Sequence, residues 1–427
     1  MSQATDRLAA IATRRAAGER RGIASICSAH PLVIESALRH GKARDADVLI
    51  EATCNQVNHE GGYTGMMPGD FRHFVEAIAG KVAFPLDRLV LGGDHLGPNP
   101  WKHLPAPEAM QKASRMVEAY AEAGFTKIHL DASMGCAGEG AAPPDATIAA
   151  RAAELAAVAE AATERAGGAK PVYVIGTEVP VPGGAFEALD HLAVTTPEAA
   201  LETVRIHRQA FSRRGLDQAF SRVIGVVVQP GVEFGNAEVI AYRPERAAAL
   251  AGTLQDLPQF VFEAHSTDYQ PVAALTALVD NGFAILKVGP WLTFALREAL
   301  YGLSHIADIL APDAARESLP AAMERAMQAA PANWKNYYHG SKTEQRIERH
   351  FSYSDRIRYY WPVPAARQAT DALMRALGDR DIPPPLISQY LGHLDGAVAN
   401  GSVAPRARGL LIGSVTQVLD IYASATG

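Results

Sequence analysis

Short, nearly continuous apolar runs alternate along the chain with longer stretches of helical periodicity. Eight such runs stand out: IASICSAH (23–30), DVLIEATCNQ (47–56), LVLGGDHLG (89–97), KIHLDAS (127–133), VYVIGTEVP (172–180), VIGVVVQPG (223–231), QFVFEAHSTDY (259–269) and AILKVGP (284–290). Their richness in Val, Ile and Leu, without polar alternation, predicts strands buried on both faces. Between them, stretches 106–123, 144–166, 196–214 and 270–281 carry amphipathic or Ala-rich patterns that predict helices. Repeated strand–helix alternation implies parallel strands joined by right-handed crossovers. Eight units fit a closed (β/α)8 TIM barrel, an α/β fold, better than an open doubly wound sheet. No glycine-rich phosphate turn follows the first run, which ends Ser28, Ala29, His30, Pro31. Beyond about residue 310 the strand pattern stops. We therefore expect a barrel over 1–310 and a helical C-terminal extension over 311–427 packed on it, with no low-complexity linker between them.

Composition narrows the setting. The 427 residues are 48% hydrophobic and 20% charged, with a net charge of -6 and no basic block, which argues against a nucleic-acid footprint. No long uninterrupted apolar run exists, so no membrane span is expected. The first 22 residues lack an apolar signal core and read as a leading helix. Only Cys27, Cys54 and Cys136 occur, without C-x-x-C spacing, so free thiols in a soluble cytoplasmic protein are expected.

In a barrel the active site gathers at the carboxyl ends of the strands. Polar residues fall there repeatedly: His30, Glu51 and Asn55, Asp94 and His95, Asp131, Glu178, Gln229 and Glu233, His265 and Asp268, and Lys287. Burying an unpaired charge is costly, so such ends imply groups that serve one another, a metal or a substrate. Asp94 and His95 combine a competent base with a common metal ligand, or form a structural pair. His265 shares its strand face with Glu263 and precedes Ser266 and Thr267, whose hydroxyls and amides suit a phosphate. Glu178 precedes a loop stiffened by Pro180 and Pro182 and reads as a metal ligand or base. Two histidines with one carboxylate, His95, His265 and Glu178, make an open set for Zn2+ that would also accept Mn2+. Asp131 shares its side with His129. Lys287 suits a Schiff base, a cation facing an enolate, or an ion pair with Glu263 or Asp131, and we favour the cation. Glu51, Asn55, Gln229, Glu263 and Ser266 are candidate substrate contacts. Arg356 and Arg358 are candidate phosphate ligands or structural partners of carboxylates. The loop NHEGGYTGM (58–66) reads as a mobile cover or an ordinary surface loop, and the aromatic segments NWKNYY and YYW as packing surface.

The motifs CSAHPLVIESAL, LIEATCNQVNHEGGYTGM, LGGDHLGPN, KIHLDASM, YVIGTEVPVPGG, VVQPGVEFG, FEAHSTDYQ, ILKVGPWLTFALREA and YSDRIRYYWP together resemble the GatZ/KbaZ family. These are the Z-subunit-like proteins of tagatose-1,6-bisphosphate aldolase, formerly called tagatose-6-phosphate kinases. No G-x-x-x-x-G-K-[ST] occurs to support a kinase. The family is similar in turn to the class II metal-dependent aldolases. That likeness implies that Asp94 is a catalytic acid/base and that His95 and His265 are metal ligands. It leaves the third ligand open, because Gln229 stands where a histidine is wanted and Glu178 is the substitute. The family implies either a non-catalytic subunit that stabilises a class II aldolase, or a stand-alone epimerase converting D-tagatose 6-phosphate to D-fructose 6-phosphate in galactitol or tagatose catabolism.

Chemistry favours the enzyme. The two ketohexose phosphates differ at C4, β to the ketone, where the hydrogen is not acidic. Transient oxidation would need a dinucleotide fingerprint, and none is present. Retro-aldol cleavage of C3–C4, turning the aldehyde and re-adding it remains open, with a divalent metal stabilising the enediolate. Asp94 or Glu178 would be the base, and Asp131 or Lys287 would support the enolate. A disused site would shed such charges. Self-association stays open.

Overall fold

The computed structural model describes residues 3–19, 21–179 and 192–427. The loop prolines and glycines after Glu178, Pro180 and Pro182 among them, lie outside the described residues. A strand forms at each of the eight runs: β1 Ile23–Ile26, β2 Val48–Thr53, β3 Leu89–Leu96, β4 Lys127–Leu130, β5 Val172–Ile175, β6 Val223–Val228, β7 Val261–Ala264 and β8 Phe283–Val288, the last starting one residue ahead of its run. They pair in parallel in sequence order, and β8 closes on β1 through Ile23 opposite Ile285 and Ile26 opposite Val288. The predicted crossover helices form at Ala106–Glu122, Asp145–Arg165, Pro197–Arg213 and Val272–Asp280. Their apolar faces and the outward strand residues make the main core, which runs on into the tail helices.

The barrel interior is layered. Its lower layer is apolar, built from Leu49, Val90, Val172, Val261 and Ile285, and two short helices, Gln3–Ala9 and Ile11–Ala16, close it with Leu8 and Ile11. The expected leading helix is thus split in two and stoppers the amino end of the barrel. Above the apolar layer lie Glu51, Lys127 and Glu263, all fully buried. Gly92 on β3 makes room for them, because a Cβ there would stand 2.8 Å from Glu51 Cγ.

The tail packs against the barrel through helix Pro290–Leu310. Its last helix, Ala407–Thr426, returns to the barrel wall against helices Pro31–Ala43, Val272–Asp280 and Pro290–Leu310. There the Tyr422 hydroxyl donates to the Thr267 carbonyl at 2.8 Å. Asp355 has a left-handed backbone (φ 44) and accepts hydrogen bonds from Thr293 (2.6 Å) and Arg297 (3.2 Å) of helix Pro290–Leu310. That clamp sets the turn Arg356–Tyr360 over the barrel mouth. No described helix is long and apolar enough to cross a membrane, and all three cysteines are free.

Candidate active site

A cavity opens at the carboxyl ends of the strands. Asp94, His95, His265 and Lys287 line it from the barrel, and Tyr63, Arg358 and Tyr359 line it from the β2 loop and the tail. Asp94 and His95 both reach it because β3 breaks its regular course there. His95 adopts φ 51, and the register with β4 shifts between Gly93 and Leu96. A left-handed non-glycine residue costs roughly 1–3 kcal/mol and persists where its surroundings hold it. Here the His95 amide nitrogen lies 3.2 Å from His129 Nδ1, and its ring Nδ1 lies 2.7 Å from Asp131 Oδ2. Gly97 completes the turn, since any side chain there would collide with the Asp131 carbonyl.

The rings of His95, His129 and His265 converge, with centroids 4.8 Å, 5.1 Å and 5.2 Å apart. Ligand atoms of Asp94, His129, Glu263 and His265 all lie within 4.8 Å of one another. His129 Nδ1 is 2.9 Å from Asp94 Oδ1, while its Nε2 is buried without a hydrogen-bond partner among the described residues. A buried imidazole nitrogen left over in this way is what a metal site requires. Burial lowers the pKa of His265 to about 3, so its ring is the neutral, ligating form. Asp131 takes Ser133 through amide (3.0 Å) and hydroxyl (2.6 Å), which fixes the carboxylate that orients His95. Burial opposes its ionisation, but His95 and Ser133 hold it below the usual carboxylate range. The donor set of imidazoles and carboxylates therefore fits a divalent metal ion.

Lys287 is ringed by acids: Glu51, Asp94 at 2.8 Å and Glu263 at 3.5 Å. Burial alone would depress its pKa, but Asp94, Cys27, Glu263 and Glu51 raise it well above the ordinary value. Ringed in this way, Lys287 stands as an ammonium cation. Lys127 pairs with Glu51 at 2.6 Å and Glu263 at 2.7 Å beneath it. Asn55 and Ser266 line the cavity, Ser266 with φ 54.

Other expected residues fall elsewhere. Glu178 follows the end of β5, is exposed, and accepts from the Thr195 hydroxyl at 2.7 Å, so the structure does not bring it to the histidines. Gln229 caps a turn, its Oε1 accepting from Gly231 N (2.8 Å) and Val232 N (3.0 Å). Arg356 is buried, stacked 3.3 Å over the Tyr337 ring and bonded to the Asn333 carbonyl, and does not line the cavity. Glu51 lies beneath the cavity within the ionic layer and not along its wall. His30 caps helix Pro31–Ala43. The 58–66 loop is fastened: Asn58 Oδ1 accepts from Glu60 N and Gly62 N, and the Thr64 hydroxyl donates to the Gln56 carbonyl at 2.7 Å. From the sequence, Lys127 and His129 carried no role of their own, Tyr63 belonged to a covering or surface loop, and Tyr359 to a packing segment. The i, i+2, i+4 spacing of Lys127, His129 and Asp131 on one strand was the available signal.

Fold and site together define a TIM barrel with a divalent-metal-competent centre at its carboxyl mouth. The model of the family described as D-tagatose-1,6-bisphosphate aldolase subunit GatZ/KbaZ-like matches residues 8–427, and the chain belongs to that family. A protein of Agrobacterium fabrum strain C58 named D-tagatose 6-phosphate 4-epimerase is 54% identical over 98% of this chain and 97% of its own length. A solved structure described as a probable tagatose 6 phosphate kinase from Sinorhizobium meliloti 1021 is 60% identical. It covers 95% of this chain and 100% of its own, with a TM-score of 0.88.

Proposed function

We propose that this protein interconverts D-tagatose 6-phosphate and D-fructose 6-phosphate by cleaving and re-forming the C3–C4 bond. The observation that carries this reading is the convergence of three imidazoles, with Asp94 and Lys287 beside them, at the cavity in the barrel mouth, in a chain 54% identical to a protein named for that activity. His95, His129 and His265 would hold a divalent ion, Zn2+ or Mn2+, which when bound polarises the ketose carbonyl. Asp131 and Glu263 orient two of those rings, at 2.7 Å from His95 and 3.0 Å from His265.

Asp94 Oδ1 is engaged by His129 and Lys287, while Oδ2 makes only longer contacts, 3.7 Å to both Cys27 Sγ and His95 Nε2. That oxygen is our candidate to take the C4 hydroxyl proton. The Lys287 ammonium stands beside it to balance negative charge developing on the enediolate. Asn55 and Ser266 are suited to contact sugar hydroxyls. A phosphoryl-transfer reading has no P-loop to support it.

Purified protein with D-tagatose 6-phosphate and Zn2+ or Mn2+ should form D-fructose 6-phosphate without a partner, read by a coupled dehydrogenase. No turnover together with a co-purifying second barrel would establish a stabilising subunit of a class II aldolase instead. Triose phosphate released from tagatose 1,6-bisphosphate would mark a direct aldolase.

A further inference from the structure

Epimerisation by cleavage and re-addition carries the C4 oxygen from one side of the reacting plane to the other. A single carboxylate fixed to β3 cannot stand beside that oxygen in both positions. This inference rests on the retro-aldol reading above. The cavity has a second wall, built by the tail, whose polar atoms come from Arg358 and Tyr359. Arg358 Nη2 donates to the Tyr359 hydroxyl at 3.0 Å, and the Arg358 carbon centre lies 4.5 Å from the ring centroid. Arg356 stands 5.0 Å from the same ring, and Tyr63 meets it edge-on at 4.8 Å. Neither arginine forms an ion pair with a carboxylate among the described residues. Arg358 is instead fixed by the Ser354 and Asp355 carbonyls. Two positive charges, neither ion-paired among the described residues, thus flank a phenol that lines a substrate cavity, with the Asp355 and Asp268 carboxyls near enough to Arg358 to act on it without pairing.

We propose that Tyr359 is a second catalytic acid/base, which protonates the C4 oxygen when the new C3–C4 bond forms. In the first half, Asp94 takes the C4 hydroxyl proton, the C3–C4 bond breaks, and its electron pair stays on C3 as the enediolate. The C4 aldehyde then turns its other face toward C3. In the second half the C3 pair forms the bond to C4, the carbonyl pair moves to oxygen, and that oxygen takes the Tyr359 proton. The phenolate left behind is stabilised by Arg358. The proton on Asp94 returns to it through water, so no net proton is exchanged. Reversal exchanges the two roles.

The electrostatics agree. Burial would push the Tyr359 phenol up, as it does for Tyr63, but Arg358 and Arg356 bring it below its ordinary value against a smaller opposing effect of Cys54.

The test is Tyr359→Phe in the metal-replete full-length enzyme, which keeps the ring and its contact with Tyr63. Interconversion should fall about 100-fold or more in kcat, with little change in KM. The epimer whose C4 oxygen faces Asp94 should still release glyceraldehyde 3-phosphate to a coupling dehydrogenase. In the direction where Tyr359 donates, kcat of the parent enzyme should fall at alkaline pH. Arg358→Gln should move that fall to higher pH, and Tyr359→Phe should abolish it. A Phe variant within about threefold of parent kcat overturns the proposal. So does one that loses cleavage of both epimers alike, or a pH profile unmoved by Arg358→Gln. A parent enzyme with no interconversion at all overturns the epimerase reading beneath it.

Discussion

Burying Lys127, Glu51 and Glu263 together under the site is tolerable because each charge has an opposite neighbour within 2.7 Å. Removing one member leaves an uncompensated charge in a medium that cannot solvate it. Lys127→Met should therefore destabilise the fold by about 3–5 kcal/mol, read as a lower denaturant midpoint. The Asp131 carboxylate acts one step from the metal-competent cluster, through His95. Asp131→Asn keeps the shape and removes the charge that fixes the imidazole, so affinity for Zn2+ should weaken roughly 10–100-fold in a chelator competition, with the fold intact.

At the scale of elements, strand ends and short connections carry the polar burden while strand middles stay apolar. The small strand Glu233–Phe234 leads from β6 to the cavity rim and pairs with Val239–Ile240. Burial pushes the Glu233 carboxyl up to about 7 from the ordinary 4.5, and Asp268 adds to the effect. In the unfolded chain this group ionises near 4.5, whereas the folded chain keeps its proton to about 7. Stability is thus fully present below the lower value and is lost as pH rises through the higher. Glu233→Gln removes the penalty. Its thermal unfolding should gain on the parent across that window, by an amount on the order of 3 kcal/mol at alkaline pH. A constant difference between the two proteins across the window would rule this out. Asp268 marks a second economy of the same region. Its carboxylate accepts from Gly289 N (3.0 Å) and Trp291 N (2.8 Å) at the start of helix Pro290–Leu310. An anion site that many barrels give to phosphate is filled here by the protein's own side chain.

The whole molecule is a barrel completed by its own tail. Helix Ala407–Thr426 buries Leu410, Leu411, Val415, Val418, Leu419 and Tyr422. At roughly 1.5–3 kcal/mol for each large apolar side chain, this one helix matches the ~5–15 kcal/mol net stability of a typical domain. A chain ending at residue 310 should therefore fail to fold, with loss of helical circular dichroism and rapid proteolysis. The tail also supplies one wall of the cavity, so a folded truncation would still lack Arg358 and Tyr359.

The sequence by itself determined the barrel. Parallel strands covered on both faces must be apolar throughout, and that signal survives in one dimension. It also marked Asp94, His95, His265 and Lys287, because an ionisable group at the end of an apolar run is costly to bury unless a partner, a metal or a substrate meets it. Only the tertiary structure decided which groups meet. His129 sits in an apolar strand like a core residue until β3 brings Asp94 to it across 35 positions. Glu178 has the chemistry of a ligand but leaves its strand facing outward. Arg356 and Arg358 are two positions apart in one turn, yet one is stacked away on Tyr337 while the other faces the cavity. Periodicity records which face of an element is buried. Direction beyond a strand end depends on backbone turns and on contacts hundreds of residues away, and these exist only once the chain has closed on itself.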